Sequence, residues 1–292
     1  YKMKKLFDIG EIVEGKVVKR PSQHCKTPYV ADVTIDGTNE FMAHTAALGC
    51  CGLADIDACV LMTHVEVKKN VCKHKIMLSK ICDPKTKYIQ IVGIDPKLAE
   101  KIVDHSLKQN LIHILKNHGN FSREVTKLNS RFDFAGIDQH GQEFILEVKN
   151  VPLADFVDCT AKERKKINVS DYKYDNKISY FPDGYRKTAK STISPRALKH
   201  VEELTELVRF HNIRSILCFV IQRTDTSSFQ PSVIDPTYRL AIQKAHFYGV
   251  EIIALVTHWN ANGECYFVKD NLPINIHDNY DVLPANYYDL EK

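Results

Sequence analysis

Arg131-Phe132-Asp133-Phe134 and Ile145-Leu146-Glu147-Val148-Lys149, with the turn Asp138-Gln139-His140-Gly141 between them, decide how this 292-residue chain reads. Both runs suit β-strands, and the turn residues predict a hairpin. In the first run Asp133 is flanked by apolar neighbours that point to the opposite face. In the second, the two-residue period puts Glu147 and Lys149 on one face. Pairing as a hairpin lets Asp133 lie beside Glu147. Two adjacent carboxylates and an ammonium on a sheet are costly unless something compensates them. Mg2+ or Mn2+ would do so, because hard cations take carboxylate oxygens, and the Val148 carbonyl could add one more ligand. Such an ion would polarise a phosphodiester and activate water, with Lys149 positioning that water or stabilising developing charge. The plainer alternative is a Glu147–Lys149 salt bridge on a solvated strand, and spacing alone does not choose between them.

Working outward from the hairpin, Pro96 suits the first turn of a helix whose Leu98, Ile102, Val103 and Leu107 fall at helical spacing. A strand over residues 122–127 precedes the two already described. After a long segment without clear periodicity, Ser194-Pro195 opens a second helix, with Leu198, Val201, Leu204, Leu207 and Val208 on one face. Residues 216–221 form a continuous apolar strand, Asp235-Pro236 starts a third helix, and strands follow at 250–256 and 265–268. This order predicts an α/β sandwich with parallel central strands. The tail from Asn271 is expected to wrap the surface. Upstream, alternating stretches at 11–18, 29–35, 40–43, 58–64, 76–81 and 88–92, with the turn signal Asp36-Gly37, predict a small closed β-barrel of OB-like type. The expected organisation is therefore two domains, α+β and α/β together: a barrel over 1–93 and a sandwich over 94–292, with a basic insertion at about 158–194.

The composition, 44% hydrophobic and 26% charged with 12 Gly and 11 Pro, argues against disorder or a fibre. No apolar run approaches the length of a membrane span, and no membrane partner is expected. The start, Tyr1-Lys2-Met3-Lys4-Lys5-Leu6, lacks a signal-peptide pattern. Nine scattered cysteines favour reduced thiols in a cytoplasmic, reducing compartment. Cys50, Cys51, Cys59, Cys72, His74 and Cys82 invite a zinc reading, but without any C-x-x-C pair they read more simply as small hydrophobes. The net charge of +4 is uninformative, but its distribution is not: from Lys162 to Lys199, eleven basic residues meet four acids. Tyr172, Tyr174, Tyr180, Phe181 and Tyr185 are interleaved with them. Phosphate-neutralising lysines and stacking faces suit nucleic acid, and a solvated loop is the bland alternative.

Asp133 followed by Glu147-Val148-Lys149 resembles the PD-(D/E)xK nuclease motif, in the αβββαβ order of that restriction-endonuclease-like core. More specifically, the chain resembles the sugar fermentation stimulation protein A family. The likeness is carried by Arg123-Glu124-Val125, Asn129 to Phe134, Glu147 to Val151, Phe181-Pro182-Asp183, Lys199 to Leu204, Val220 to Arg223 and Ile234-Asp235-Pro236. These segments run in family order through nearly the whole nuclease-like half. The resemblance implies an OB-like domain joined to a nuclease-like domain, and DNA binding. It makes Asp133 and Glu147 metal ligands, Lys149 the catalytic lysine, and Glu124 a further acidic ligand, or else the partner of a nearby base. Gln222 would orient water or phosphate, or be a satisfied polar residue inside the domain. Lys199 and His200 would hold phosphate, unless His200 packs against the core. The further contacts expected with nucleic acid are Arg20, Arg131, Lys165, Lys166, Arg186, Lys187 and Lys190. Toward the N-terminus the likeness fades, since His44 to Gly49 stands where the family carries a polar Asn-(Pro/Thr)-Gly turn. The leading expectation is a Mg2+- or Mn2+-dependent DNA nuclease, the alternative a DNA-binding or regulatory protein without useful turnover. A sugar- or metabolite-handling enzyme ranks last, because the chain has no Gly-rich phosphate loop. A homodimer is compatible with all of these.

Overall fold

Strand closure organises the first ninety residues. The first strand, β1 (Lys4–Asp8), stands apart; β2 (Val13–Lys19), β3 (Val30–Thr34), β4 (Glu40–His44), β5 (Cys59–His64), β6 (His74–Cys82) and β7 (Ile89–Gly93) pair in the order β4-β3-β2-β5-β6-β7. Parallel pairing of Ala43 with His74 and His44 with Lys75 joins β4 to β6 and closes a five-stranded barrel. Closure removes the unpaired edges that open sheets expose. Val17, Val33, Ala43, Val60, Met62 and Ile76 fill the interior. Gly15 allows this packing, since a Cβ there would meet Met62 Cε and Val33 Cγ1, each at 2.8 Å. This computed structural model describes residues 3–46, 52–66, 72–164, 166–168, 172–182 and 192–277.

Asp95 then caps α1 (Pro96–Lys108) by accepting from Lys97 N at 3.2 Å, and the apolar stripe of that helix is buried as its spacing predicts. β8 (Phe121–Lys127), β9 (Ser130–Ile137) and β10 (Glu143–Val151) follow as an antiparallel set. Next come a short β11 (Ala154–Asp155), a one-turn α2 (Ala161–Arg164), β12 (Lys177–Phe181), α3 (Pro195–His211), β13 (Arg214–Ile221), β14 (Thr226–Pro231), α4 (Pro236–Phe247), β15 (Glu251–Trp259) and β16 (Glu264–Lys269). The larger sheet runs β1-β16-β15-β13-β10-β9-β8, with β10, β13 and β15 parallel. Its centre is apolar on both faces because both are covered. α1 packs on Leu146, Val148 and Val220, while α3 and α4 pack on Ile145, Leu217 and Phe219. Among the described residues, no helix is long and apolar enough to cross a membrane.

Two elements depart from the sequence reading. β1 leaves the N-terminal barrel and pairs antiparallel with β16 at the edge of the large sheet. Only Leu6 and Phe7 are buried in it, and a two-residue apolar signal among lysines carries no readable period. Charged residues suit such an edge, and Lys5 reaches Glu264 at 2.6 Å. Within the basic segment, β12 pairs parallel with β14 and antiparallel with β11 as a separate three-stranded sheet. Its partners lie far along the chain, so local pattern did not disclose it. Of the tail, residues 271–277 pack on the domain, with Leu272 and Ile276 buried and Asn271 bridging to Ala254, and residues 278–292 lie outside the described residues.

A buried polar joint fastens the barrel to the sheet. Gly93 N donates to Gln222 O at 3.1 Å, the Gln222 amide donates to Asn150 Oδ1 at 2.7 Å, and Trp259 Nε1 donates to Gln222 Oε1 at 3.0 Å. A Cβ on Gly93 would fall 1.9 Å from Gln222 Oε1 and 2.7 Å from Trp259 Nε1. Replacing Gly93 by Ala should therefore cost about 1–3 kcal/mol, the usual penalty for overpacking. Gly119→Ala, whose new methyl meets nothing closer than 3.5 Å, serves as the control. Thermal unfolding should show a fall of several degrees for the first variant and little change for the second; equal melting temperatures would refute the tight joint.

Candidate functional site

The β9–β10 ladder runs from the Ile137–Glu143 pair to the Phe134–Leu146 pair and ends there. Beyond that point the strands part, and the Val148 N–H donates to Asp133 Oδ2 at 2.7 Å. The fork thus fixes the Asp133 side chain against β10. Glu147 and Lys149 share a face of β10, as alternation predicted, and that face lies beneath α3. Ser194 caps α3 through Ala197 N, and the buried side of the helix carries His200, Val201 and Leu204. His200 Nδ1 and Lys149 Nζ both bond to Glu147 Oε1, and they stand 3.4 Å from each other. Glu147 is 3% exposed, His200 4% and Lys149 9%, so this cluster is interior.

The environment separates the two carboxyl groups. Burial and the Glu147 charge push Asp133 up to about 7, against the downward pull of the Val148 N–H and Lys149. Burial also acts to raise Glu147, but Lys149 and His200 outweigh it and hold that carboxylate below its ordinary value. One group is thus kept ionised and its neighbour titrates near neutrality. Glu147 Oε2 is buried and has no hydrogen-bond partner among the described residues, and the same holds for the Tyr238 hydroxyl. Burial raises the Tyr238 phenol well above its usual value, and the Glu147 charge adds to that. Orphaned buried polar atoms are uncommon in folded proteins and call for a physical reason.

Only part of the residue set expected from sequence gathers here. The β8–β9 register leaves Glu124 opposite Asp133 without a ladder pair, at φ 55°, and its exposed carboxylate turns to Arg131 at 3.6 Å. Arg131 itself is exposed at that strand end. Gln222 does not join the carboxylates: its side chain is satisfied in the joint by Asn150 and Trp259. His200 faces Glu147 and not the solvent, whereas Lys199 is exposed and donates to Asn129 O at 2.8 Å. Arg20 is held within the barrel by Pro28 O and Ala54 O, and lies 3.8 Å from Asp55. Lys166 is exposed, and Lys165, Arg186, Lys187 and Lys190 lie outside the described residues. Of the cysteines raised for zinc, Cys59, Cys72 and Cys82 are free thiols, while Cys50 and Cys51 lie outside the described residues. No group of three or more His, Cys, Asp or Glu side chains converges as a metal site among the described residues.

Sequence reasoning missed Glu100 of α1, whose charge reaches Asp133 and whose carboxylate lies 3.4 Å from Arg123. Its place at the margin of the apolar stripe of α1 was the only hint. Tyr238 was missed as well, because nothing local to α4 says that its hydroxyl comes under the charge of Glu147.

This arrangement defines a fork of two strands bearing a half-buried and a buried carboxyl group of unequal acidity and a lysine, on a sheet covered by helices. Residues 97–263 match the family model described as "Sugar fermentation stimulation protein RE domain", and the chain belongs to that family. A sugar fermentation stimulation protein homolog of Acetivibrio thermocellus is 28% identical over 269 residues, covering 91% of this chain and 98% of the relative. One from Magnetococcus marinus is 30% identical over 227 residues, covering 77% and 83%. A solved structure, "The structure of Pyrococcus Furiosus SfsA in complex with Ca2+", aligns at a TM-score of 0.70 with 20% identity, covering 92% of this chain and 98% of its own, and shows the same fold.

The raised Asp133 value has a stability consequence. Its folded pKa of about 7 exceeds the ordinary 3.8, so stability present at low pH is lost as pH rises through that interval. Without divalent cations, Asp133→Asn should gain on the wild type from about pH 4 to about pH 7 and hold a constant lead above. Urea midpoints of both proteins in chelator report this, and a difference independent of pH would contradict the buried, near-neutral carboxyl.

Proposed function

We propose that this chain is a divalent-metal-dependent nuclease acting on DNA, built as an OB-like barrel, roughly residues 1–93, on a PD-(D/E)xK sandwich. The observation that carries the reading is the fork itself. Asp133 and Glu147 converge where burial, with the Glu147 charge added, pushes the Asp133 carboxyl toward a neutral form, and Glu147 Oε2 lacks a partner among the described residues. Hard oxygen donors in that condition fit Mg2+ or Mn2+ better than softer ions. Asp133 and Glu147 would hold the ion, with the Val148 carbonyl as a third oxygen. When bound, the ion supplies Lewis acidity toward a phosphodiester and a water of lowered pKa. Ca2+ in the solved family structure supports an oxygen-lined cation site.

The remaining work falls to the chain. The Val148 N–H orients Asp133, Lys149 and His200 fix Glu147 by Oε1 and leave Oε2 directed elsewhere, and Lys149 brings a positive charge to where phosphate charge would develop. The exposed bases Arg131, Lys166 and Lys199 supply counter-charge for a phosphate backbone. Two features favour a second reading, a nuclease fold that binds DNA without turnover. α3 covers the Glu147–Lys149 face, and Glu124, the expected third acid, points away.

Incubation of labelled single- and double-stranded DNA with Mn2+ and Mg2+ separates the two. Wild type should cleave, and Asp133→Asn should lose at least about a hundredfold of that rate while keeping its DNA affinity, as removal of groups acting on the transition state does. Wild-type cleavage by the variant would remove Asp133 from the machinery. Metal-independent, salt-sensitive DNA binding without any cleavage by the wild type would establish the second reading.

A further inference from the structure

A cluster of aromatic rings between the barrel and the basic segment takes no part in the site above. The β6–β7 turn, Asp83 to Tyr88, is closed by Lys87 N to Asp83 O and Asp83 N to Tyr88 O, both at 2.9 Å. Asp83 Oδ1 binds Lys85 N, Thr86 N and Thr86 Oγ1 at 3.0, 2.7 and 2.8 Å, so Tyr88 is presented from a fixed base. Its ring lies 5.1 Å from that of Tyr174. Beside it Tyr172 stacks on Phe156 at 5.3 Å and 29°. Lys177 links the two pairs, its Nζ 4.0 Å from the Tyr174 ring centre and 5.5 Å from that of Phe156. That ammonium is itself fixed by Asp225 at 2.5 Å, and Arg223 holds Asp225 at 2.6 and 2.7 Å.

Four rings, two of them against one ammonium, would serve simply as a seam between barrel and insertion if all were covered. Tyr174 and Phe156 fit that role. Tyr88 and Tyr172 do not, being 46% and 43% exposed, with Ile89 also open beside Tyr88. The exposed charged side chains of the two segments are Lys85, Lys87, Lys173 and Asp175, mostly basic. Rigid aromatic faces flanked by ammonium groups are what unpaired bases and their phosphates recognise. A duplex, whose base faces are already stacked on one another, offers no such match.

We infer that Tyr88 and Tyr172 form a stacking platform for single-stranded nucleic acid, with Lys85, Lys87 and Lys173 facing its phosphates. This rests on the nucleic-acid reading above and adds to it the kind of strand: unpaired, with little choice of base, since every base has a π face.

The test is fluorescence anisotropy of the full chain with a labelled oligothymidylate of about twelve nucleotides and with an abasic strand of equal length. Chelator is present throughout to prevent cleavage, and the titrations are made at two salt concentrations. Compared with wild type are Tyr88→Ala/Tyr172→Ala and Tyr88→Trp/Tyr172→Trp. The alanine pair should bind oligothymidylate about tenfold or more weaker, with an unchanged salt slope and unchanged affinity for the abasic strand. The tryptophan pair should retain tight binding, with its fluorescence quenched by stacked bases. Wild-type affinity in the alanine pair, as expected if the rings serve a peptide instead, would overturn the platform but leave nucleic-acid binding standing. So would an equal loss on both strands. A wild-type protein that binds neither these strands nor a duplex at low salt would remove the nucleic-acid reading, and the platform with it.

Discussion

The contact on which the site depends is the hydrogen bond from the Val148 N–H to Asp133, made where β9 parts from β10. An intact ladder would give that N–H a backbone carbonyl and leave Asp133 no reason to lie against β10. Because the ladder stops at the Phe134–Leu146 pair, the carboxylate takes the place of the missing strand and comes under the influence of Glu147. Two neighbouring carboxylates, Glu147 buried and Asp133 half-buried, cannot both stay ionised without cost. Lys149 and His200 settle the charge of Glu147, while Asp133 titrates at about 7 and Glu147 Oε2 has no partner among the described residues.

The surrounding fold buries the Glu147, Lys149 and His200 side of that fork. Parallel pairing sets Glu147 beside Leu217 and Lys149 beside Phe219, so β13 places apolar side chains against the charged ones. α3 lays His200 over them, and the Phe132 ring lies 5.6 Å from that imidazole. On the other face, the Asn150–Gln222–Trp259 chain of hydrogen bonds joins the same strand to the end of the barrel at Gly93. β10 therefore carries the site on one face and the joint between the two halves on the other.

Much of this was legible in the sequence, for physical reasons that also explain the gaps. Helix caps at Asp95, Ser194 and Asp235 announce themselves within four residues, and the three main helices begin where those signals stand. Two-residue alternation placed Glu147 and Lys149 on one face, and the turn at Asp138–Gly141 brought Asp133 to the adjacent strand. Contacts made across long separations were not legible. His200 meets Glu147 across 53 positions, and its helical spacing could not say whether it faced phosphate or core. Gln222 is spent in the joint, and Glu124 turns away because of its left-handed backbone. β12 finds its parallel partner some fifty residues downstream, beyond any local period.

Calorimetric titration of Mn2+ into the wild-type chain, beside Glu147→Gln, tests most directly whether the fork is a cation site. One binding site in the wild type, with proton release at pH 6 as Asp133 is drawn into its ionised form, and no binding in the variant is the expected result. Equal Mn2+ binding by both proteins, or none by either, would contradict the assignment of these carboxylates as ligands.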